Sequence, residues 1–207
     1  MFTGIISDVG TVTAVEQRGD LRVTVATAYD MSSVAIGASI ACSGVCLTVI
    51  DKGAGWFAAD VSAETESCSA QGQWTAGKQL NLERAMRLGD ELGGHIVTGH
   101  IDGVGEVRAV DEVGGSRRVT IAVGSELAPY LAAKGSVTAD GVSLTVNTVE
   151  DVASGSCLIG LNIIPHTWTV TALQNWHTGV AVNIEIDVLS RYLSRMQDVV
   201  RHRAVIG

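Results

Sequence analysis

Four side chains stand out as able to do chemistry: Cys46, His100, Lys134 and Ser143. An imidazole can move protons near neutral pH, a thiol becomes nucleophilic beside a group that lowers its pKa, and a hydroxyl both donates and accepts hydrogen bonds. Their settings exclude several familiar constellations. Ser143 lies in no G-x-S-x-G turn and has no evident His/Asp relay, so an acyl-transfer triad is unsupported. The chain has no HExxH and no Cys/His cluster of zinc spacing, and no metal is expected. His95 lies five residues before His100, a separation that on a strand sends the two rings to opposite faces and argues against a shared ion. Nucleotide phosphate sites lack their signature too, since Gly103-Val104-Gly105 does not complete a GxGxxG and no GxxxxGK[ST] occurs.

These positions gain meaning from an internal repeat. Thr3 to Val15 matches Thr98 to Val110 at an offset of 95, with eight of thirteen residues identical, which chance does not explain. Ser43 to Val49 matches Asp140 to Val146 at an offset of 97, and Gly77, Asn81 and Glu83 match Gly179, Asn183 and Glu185 at 102. The order is preserved, so the chain is a tandem duplication with short insertions in its loops. Matched positions that differ show where the copies took different tasks. Ile5 corresponds to His100, Cys46 to Ser143, Ser43 to Asp140 and Gly37 to Lys134, so the second copy holds the ionisable group at three of these four positions.

Each copy reads as many short strands rich in Val, Ile and Thr, such as Leu21 to Ala26 and Arg118 to Val123, with Gly or Asp at the turns. Strands so short and numerous favour two small β-barrels over an α/β sheet. The uncharged stretch Met31 to Ile50 is rich in Ser, Gly, Ala and Cys and predicts a buried hairpin rather than a membrane span. In the tail, Leu189, Tyr192, Leu193, Met196, Val199 and Val200 fall on one face of an amphipathic helix. That stripe packs either on its own barrel or on the same helix of other subunits.

Composition narrows the function classes. The 207 residues carry 14 Lys and Arg against 22 Asp and Glu, a formal charge of −8 that disfavours nucleic acid and anionic membrane as partners. With 46 % apolar residues and two prolines the chain is neither low-complexity nor a linker. The start Met1 to Asp8 has no basic flank and no apolar run, which predicts a cytoplasmic protein, and Cys42, Cys46, Cys68 and Cys157 are expected to be free thiols.

The motifs together resemble the riboflavin synthase family, built from two lumazine-binding repeats. The resemblance rests on Met1-Phe2-Thr3-Gly4-Ile5, Gly44 to Val49, Gly93-Gly94-His95, Gly99-His100-Ile101-Asp102-Gly103, Asp140 to Val146, Ile164-Pro165-His166-Thr167 and Val182 to Asp187. It implies an all-β chain of two tandem six-stranded Greek-key barrels, at 1–94 and 95–187, with a C-terminal helix at 188–207 that joins three subunits into a homotrimer. It implies a dismutation in which one 6,7-dimethyl-8-ribityllumazine gives a four-carbon unit to another, yielding riboflavin and 5-amino-6-(D-ribitylamino)uracil with no cofactor. Lumazine synthase is a further expected partner.

The residues carried over by motif form two sets. Gly4, Ile5 and Ile6, with Cys46, Leu47 and Thr48 and the run Asp60, Val61, Ser62, Ala63, Glu64 and Thr65, are expected to hold substrate in the first barrel. Gly99, His100 and Ile101, with Lys134, Ser143, Leu144 and Thr145 and the run Asn162, Ile163, Ile164, Pro165, His166 and Thr167, are expected to do so in the second. Phe2, Cys46, His100, Ser143 and Asp187 are expected near the chemistry. The sequence departs from the family pattern at Glu66 to Gly72 and at Trp168.

Overall fold

The computed structural model describes residues 1–153 and 155–206. In the first repeat seven strands form one sheet: β1 (Asp8–Arg18), β2 (Asp20–Ala26), β3 (Ser39–Cys42), β4 (Val45–Thr48), β5 (Asp51–Gly53), β6 (Trp56–Val61) and β7 (Gln79–Arg84). The second repeat has β8 (Gly103–Val113), β9 (Ser116–Val123), β10 (Ser136–Ala139), β11 (Val142–Asp151), β12 (Cys157–Ile163) and β13 (Ala181–Ile186). Among the described residues the α-helices are α1 (Ala63–Cys68), α2 (Pro165–Val170) and α3 (Val188–Ile206), with short 3-10 turns at Met31–Ser33, Ala128–Tyr130 and Ala172–Asn175.

The second repeat closes into a six-stranded barrel in the order β10-β11-β12-β9-β8-β13. The first runs β4-β3-β7-β1-β2-β6-β5. This is the same circuit with one break, because β4 and β5 are the two halves of what is continuous as β11. In β11 a bulge between Val146 and Thr148 lets one strand turn the corner from β10 to β12. In the first repeat the ladder is instead interrupted at Val49 and Ile50, whose N–H groups donate to Ala38 O and Ala58 O, so β4 and β5 stand at the two ends of one seven-stranded sheet, a half-barrel. The alternation in the sequence is read out faithfully: β2, Asp20–Ala26, buries Leu21, Val23 and Val25, and β9 buries Val119, Ile121 and Val123. The uncharged stretch does form a hairpin, β3 and β4, turning at Ser43-Gly44.

The two repeats meet at their matching hairpin turns, Ser43-Gly44 and Asp140-Gly141. All four turn residues have positive φ, from 45° to 86°, which suits the two-residue turns that join twisted strands. The glycines stack on each other: a Cβ on Gly141 would lie 2.6 Å from the Gly44 nitrogen. Buried amides sew the join. Asn81 donates to Asp140 O at 2.8 Å and accepts from Ala172 N at 2.7 Å. Its counterpart Asn183 donates to Ser43 O at 2.8 Å and accepts from Ala70 N at 2.6 Å.

The copies diverge at this seam. Ser43 Oγ accepts the Asn81 N–H, while Asp140 accepts the Asn183 N–H on Oδ1 and the Trp176 indole N–H on Oδ2. The Asp140 carboxylate thus braces the turn of its own repeat at the seam, while its backbone oxygen takes the bond from Asn81, beside a cavity of about 230 Å³ that Lys78 also lines. Loss of water pushes its carboxyl up to about 6, against the pull of those two N–H donors and of Lys78.

The sign of that shift sets a test. A carboxyl that binds its proton more tightly when folded stabilises the fold below its unfolded pKa of 3.8, and that contribution is lost as pH rises through about 6. Asp140→Ser copies the first repeat and removes the group. The stability of the native chain relative to the variant, from urea unfolding, should be up to about 3 kcal/mol greater at pH 3.5 than at pH 7. A difference that does not change with pH would show that Asp140 titrates as it does in the unfolded chain.

Candidate functional site

The leading segment of each repeat is clamped by a buried glutamate at the end of its own barrel. Glu83 accepts from Thr3 N (2.7 Å), Thr3 Oγ1 (2.8 Å) and Gly4 N (2.9 Å). Glu185 accepts from Thr98 N (2.6 Å), Thr98 Oγ1 (2.7 Å) and Gly99 N (3.0 Å). Burial raises both carboxyls above the ordinary glutamate value, and the three donors to each pull them back.

Beyond the clamp each segment crosses to the other barrel. Ser143 donates its N–H to Gly4 O at 2.8 Å, and Cys46 donates to Gly99 O at 2.8 Å. Ile6 packs on the core of the second barrel and Ile101 on that of the first. The expected grouping by repeat is therefore corrected: Gly4, Ile5 and Ile6 belong with Ser143, whereas Gly99, His100 and Ile101 belong with Cys46. A segment of five residues can reach across because the repeats meet at their turns, so the neighbouring barrel is nearer than the mouth of its own.

The first half-site is a cavity of about 250 Å³ lined by Cys46 on β4, His100 and Ile101 on the crossing segment, and Glu64, Thr65 and Cys68 on α1. Ser62 caps α1 by accepting the Thr65 N–H at 3.1 Å, which holds Glu64 and Thr65 over the opening. Phe2 is wholly buried with Ala41 and Val97, and Cys46 packs against this cluster. Leu47 and Val61 are buried in the barrel core, and Thr48 and Ala63 are exposed. Asp60 is gripped by Arg22 through two bonds of 2.9 and 3.1 Å, which hold its carboxyl below the usual aspartate value.

The second half-site contains a pairing that spacing alone concealed. His95 Nδ1 lies 2.7 Å from Ser143 Oγ, and Thr138 Oγ1 lies 3.2 Å from His95 Nε2. Ser143 thus has a histidine partner, with Thr138 and not an aspartate on the far ring nitrogen, so no His/Asp relay is formed. The segment 93–102 is not a strand; a lone bridge, Phe2 to Val97, is its only ladder pairing. The two histidines are indeed separated, His95 toward Ser143 and His100 toward Cys46, but by an irregular crossing segment and not by strand alternation. Burial lowers the His95 pKa, with Asp187 opposing, so a neutral ring sits between two hydroxyls. When Nδ1 is bare it accepts from Ser143 and raises the basicity of that oxygen; in the other tautomer it donates.

The remaining expected residues fall in several places. Asp187 also caps α3, its Oδ1 accepting the Leu189 N–H at 2.9 Å. Leu144 packs partly against the core and Thr145 is exposed. Ile163 is buried, whereas Asn162, Ile164, Pro165 and His166 are exposed and Thr167 is half-buried on α2. Arg117 lies over the Trp168 ring, 5.7 Å from its centroid, so the atypical tryptophan ties α2 to β9. Lys134 is exposed at a turn where its backbone is left-handed (φ 69°), as is that of its counterpart Gly37 (φ 86°). That difference between copies therefore spans a shared backbone conformation. Among the described residues no group of three or more His, Cys, Asp and Glu could hold a metal ion, and no helix is long and apolar enough to cross a membrane.

Comparison with known proteins agrees with this architecture. The lumazine binding domain family matches twice, at residues 3–85 and 98–187. Riboflavin synthase of Brucella abortus is 43 % identical over 202 residues, covering 95 % of this chain and 98 % of the relative. That of Photobacterium leiognathi is 43 % identical over 206 residues, covering 99 % and 92 %, and that of Mycobacterium tuberculosis is 41 % identical over 198, covering 95 % and 98 %. The fold is shared with LumP complexed with riboflavin, at a TM-score of 0.78 and 23 % identity over 90 % of this chain and 99 % of the other.

Gly99 tests the crossing. It has φ 80°, and a Cβ there would lie 2.6 Å from Cys46 Cβ and 2.9 Å from the Phe2 ring. Gly99→Ala should lose about 2–4 kcal/mol in urea unfolding, from backbone strain and from the clash together. Gly179→Ala, at φ 90° with no atom within 4 Å of the new Cβ, should lose only the backbone part, about 1–2 kcal/mol. Equal losses would mean that the crossing segment yields freely.

Proposed function

Since the chain belongs to the riboflavin synthase family of paired lumazine-binding domains, we propose that its two half-sites each hold one 6,7-dimethyl-8-ribityllumazine, one as four-carbon donor and one as acceptor. The protein is an enzyme of the transferase type that dismutes lumazine. The observation that carries the assignment of residues is the paired construction, Cys46 with His100 and Ser143 with His95, each beside a crossing backbone. One fold built twice suits two copies of one substrate, and unequal side chains suit unequal roles.

The chemistry asks for proton movement at the acidic C7 methyl of one ring and for activation of a nucleophile at the other. His100 is the group that moves the proton in the first half-site, where Cys46 is a supporting polar contact or activates the nucleophile. Ser143 offers a hydrogen bond to the second ring, and neutral His95 sets the direction of that bond. Gly4, Ile5 and Ile6 and the α2 segment Asn162 to Thr167 line the second lumazine; Asp60 to Thr65 line the first. Holding the two rings face to face supplies the rest of the acceleration.

The stacked pair of rings is taken to form between half-sites of different subunits, as the resemblance to the family implies. The tail helix is the means. Leu189, Tyr192, Leu193, Met196 and Val200 are each between 61 and 67 % exposed, so the stripe does not pack on its own barrel, and a homotrimer joined by three such helices covers it. Each fully buried aliphatic side chain contributes about 1.5–3 kcal/mol before the entropy of association. A cytoplasmic location and an encounter with lumazine synthase fit the same reading.

Mixing purified protein with 6,7-dimethyl-8-ribityllumazine should produce riboflavin fluorescence, unaltered by EDTA; binding without turnover would leave a lumazine-binding protein. His100→Ala should lower single-turnover rates by about 10²–10⁴-fold. Ser143→Ala should cost nearer the 0.5–1.5 kcal/mol of one neutral hydrogen bond, with lumazine titration little changed in both. Near-normal turnover in His100→Ala would remove that histidine from the mechanism. Truncation after Asp187 should weaken sedimentation as a trimer and activity together, and a truncated protein that remains trimeric would show that the helix does not hold the subunits.

A further inference from the structure

Asp102 ends the crossing segment that carries His100, and its side chain is only 10 % exposed. Its two oxygens face two parts of the chain's end. Oδ2 accepts the N–H of Ile186, the last residue of β13, at 2.9 Å, and Oδ1 lies 2.6 Å from Nη2 of Arg191 in the first turn of α3. A second, looser tether joins Ser194 to the Tyr130 hydroxyl at 3.5 Å.

The duplication gives this cluster an internal control. Ser7 occupies the matching place in the first repeat, and the backbone roles are the same: Ser7 N donates to Leu82 O at 3.0 Å, Asp102 N to Ile184 O at 2.9 Å. The side chains are not. Ser7 is exposed and meets only the Tyr29 hydroxyl, at 2.6 Å. No helix follows β7, whereas α3 follows β13. The carboxylate occurs in the copy that has a helix to hold. Burial is the main reason the nearby Glu185 carboxyl is raised, and Asp102 adds to it; Arg191 supplies the countercharge to Asp102 itself.

We propose that Asp102 and Arg191 form a positioning pair that couples the seating of α3 to the placement of His100 against Cys46. Only Ile101 separates Asp102 from His100, and Ile101 packs on the first barrel. A shift of the helix is therefore passed through the ion pair to the imidazole, and whatever covers the exposed face of α3 acts on the first half-site. Arg191 works through Asp102 and touches no substrate. The proposal rests on the reading of His100 given above.

The full-length chain tests it in two ways. Arg191→Ala should lower kcat on the order of 10- to 100-fold, as small misplacements at a distance do, with KM little changed and sedimentation unaltered. Arg191→Lys should recover part of the loss, since one ammonium replaces one arm of the guanidinium. In a His100→Ala background the Arg191→Ala change should add nothing. Additive losses, or loss of assembly in Arg191→Ala, would overturn the coupling. The second readout needs no turnover: hydrogen exchange at residues 99–103 should rise in Arg191→Ala, and exchange at 188–194 should rise in Asp102→Asn. Unchanged exchange overturns the proposal, whereas a native protein that makes no riboflavin but shows these changes overturns the catalytic reading alone.

Discussion

Two buried carboxylates, Glu83 and Glu185, fix the arrangement on which everything else depends. They are 7 % and 1 % exposed, and a carboxylate taken so far from water is tolerated only when its oxygens are filled. The donors that fill them are the backbone and hydroxyl of Thr3 and Thr98 and the backbone of Gly4 and Gly99. A leading segment that strayed would leave an ionised group buried and unpaired, which costs several kcal/mol. Each segment is thus held at one point on its own barrel, and from there its next residues have only the other barrel to pack on.

That exchange of segments makes the half-sites composite. His100 lines the cavity of the first repeat's Cys46, and His95, between the two matched repeats, meets the Ser143 hydroxyl of the second. The result is an imidazole near both the Cys46 thiol and the Ser143 hydroxyl, in a molecule whose first repeat has no histidine. The four differences between copies resolve into separate roles. Cys46 and Ser143 face the half-sites, His100 crosses to the other barrel, Asp140 braces its own turn at the seam, and Gly37 and Lys134 share a left-handed turn.

The seam and the helix complete the logic of a duplicated chain. Glycine on glycine at Gly44 and Gly141 brings the repeats to backbone contact, and the buried amides of Asn81 and Asn183 bind each to the other's turn. The long helix α3 has no counterpart in the first repeat, and its apolar stripe lies in solvent. A pseudo-symmetric body is satisfied internally; the unmatched helix is where it is left incomplete.

The sequence by itself determined the repeat, the strands and the list of reactive groups. Val, Ile and Thr in alternation made β2 and β9 legible, and the 3.6-residue stripe marked α3, because each of these signals is local and has a fixed period; the Ser43-Gly44 and Asp140-Gly141 pairs sit at the turns of β3–β4 and β10–β11. The one-turn helices α1 and α2 were hidden inside substrate-binding motifs, being too short to show a period. What only the tertiary structure decided is which groups meet. Ser143 and His95 are 48 residues apart, and nothing in the intervening chain encodes their contact. Gly4 and Ser143 belong to different repeats, and a comparison of repeats places like with like. Pairing across the seam follows from buried charge that has to be satisfied and from turns that approach to backbone contact, and those constraints act through space without leaving a pattern along the chain.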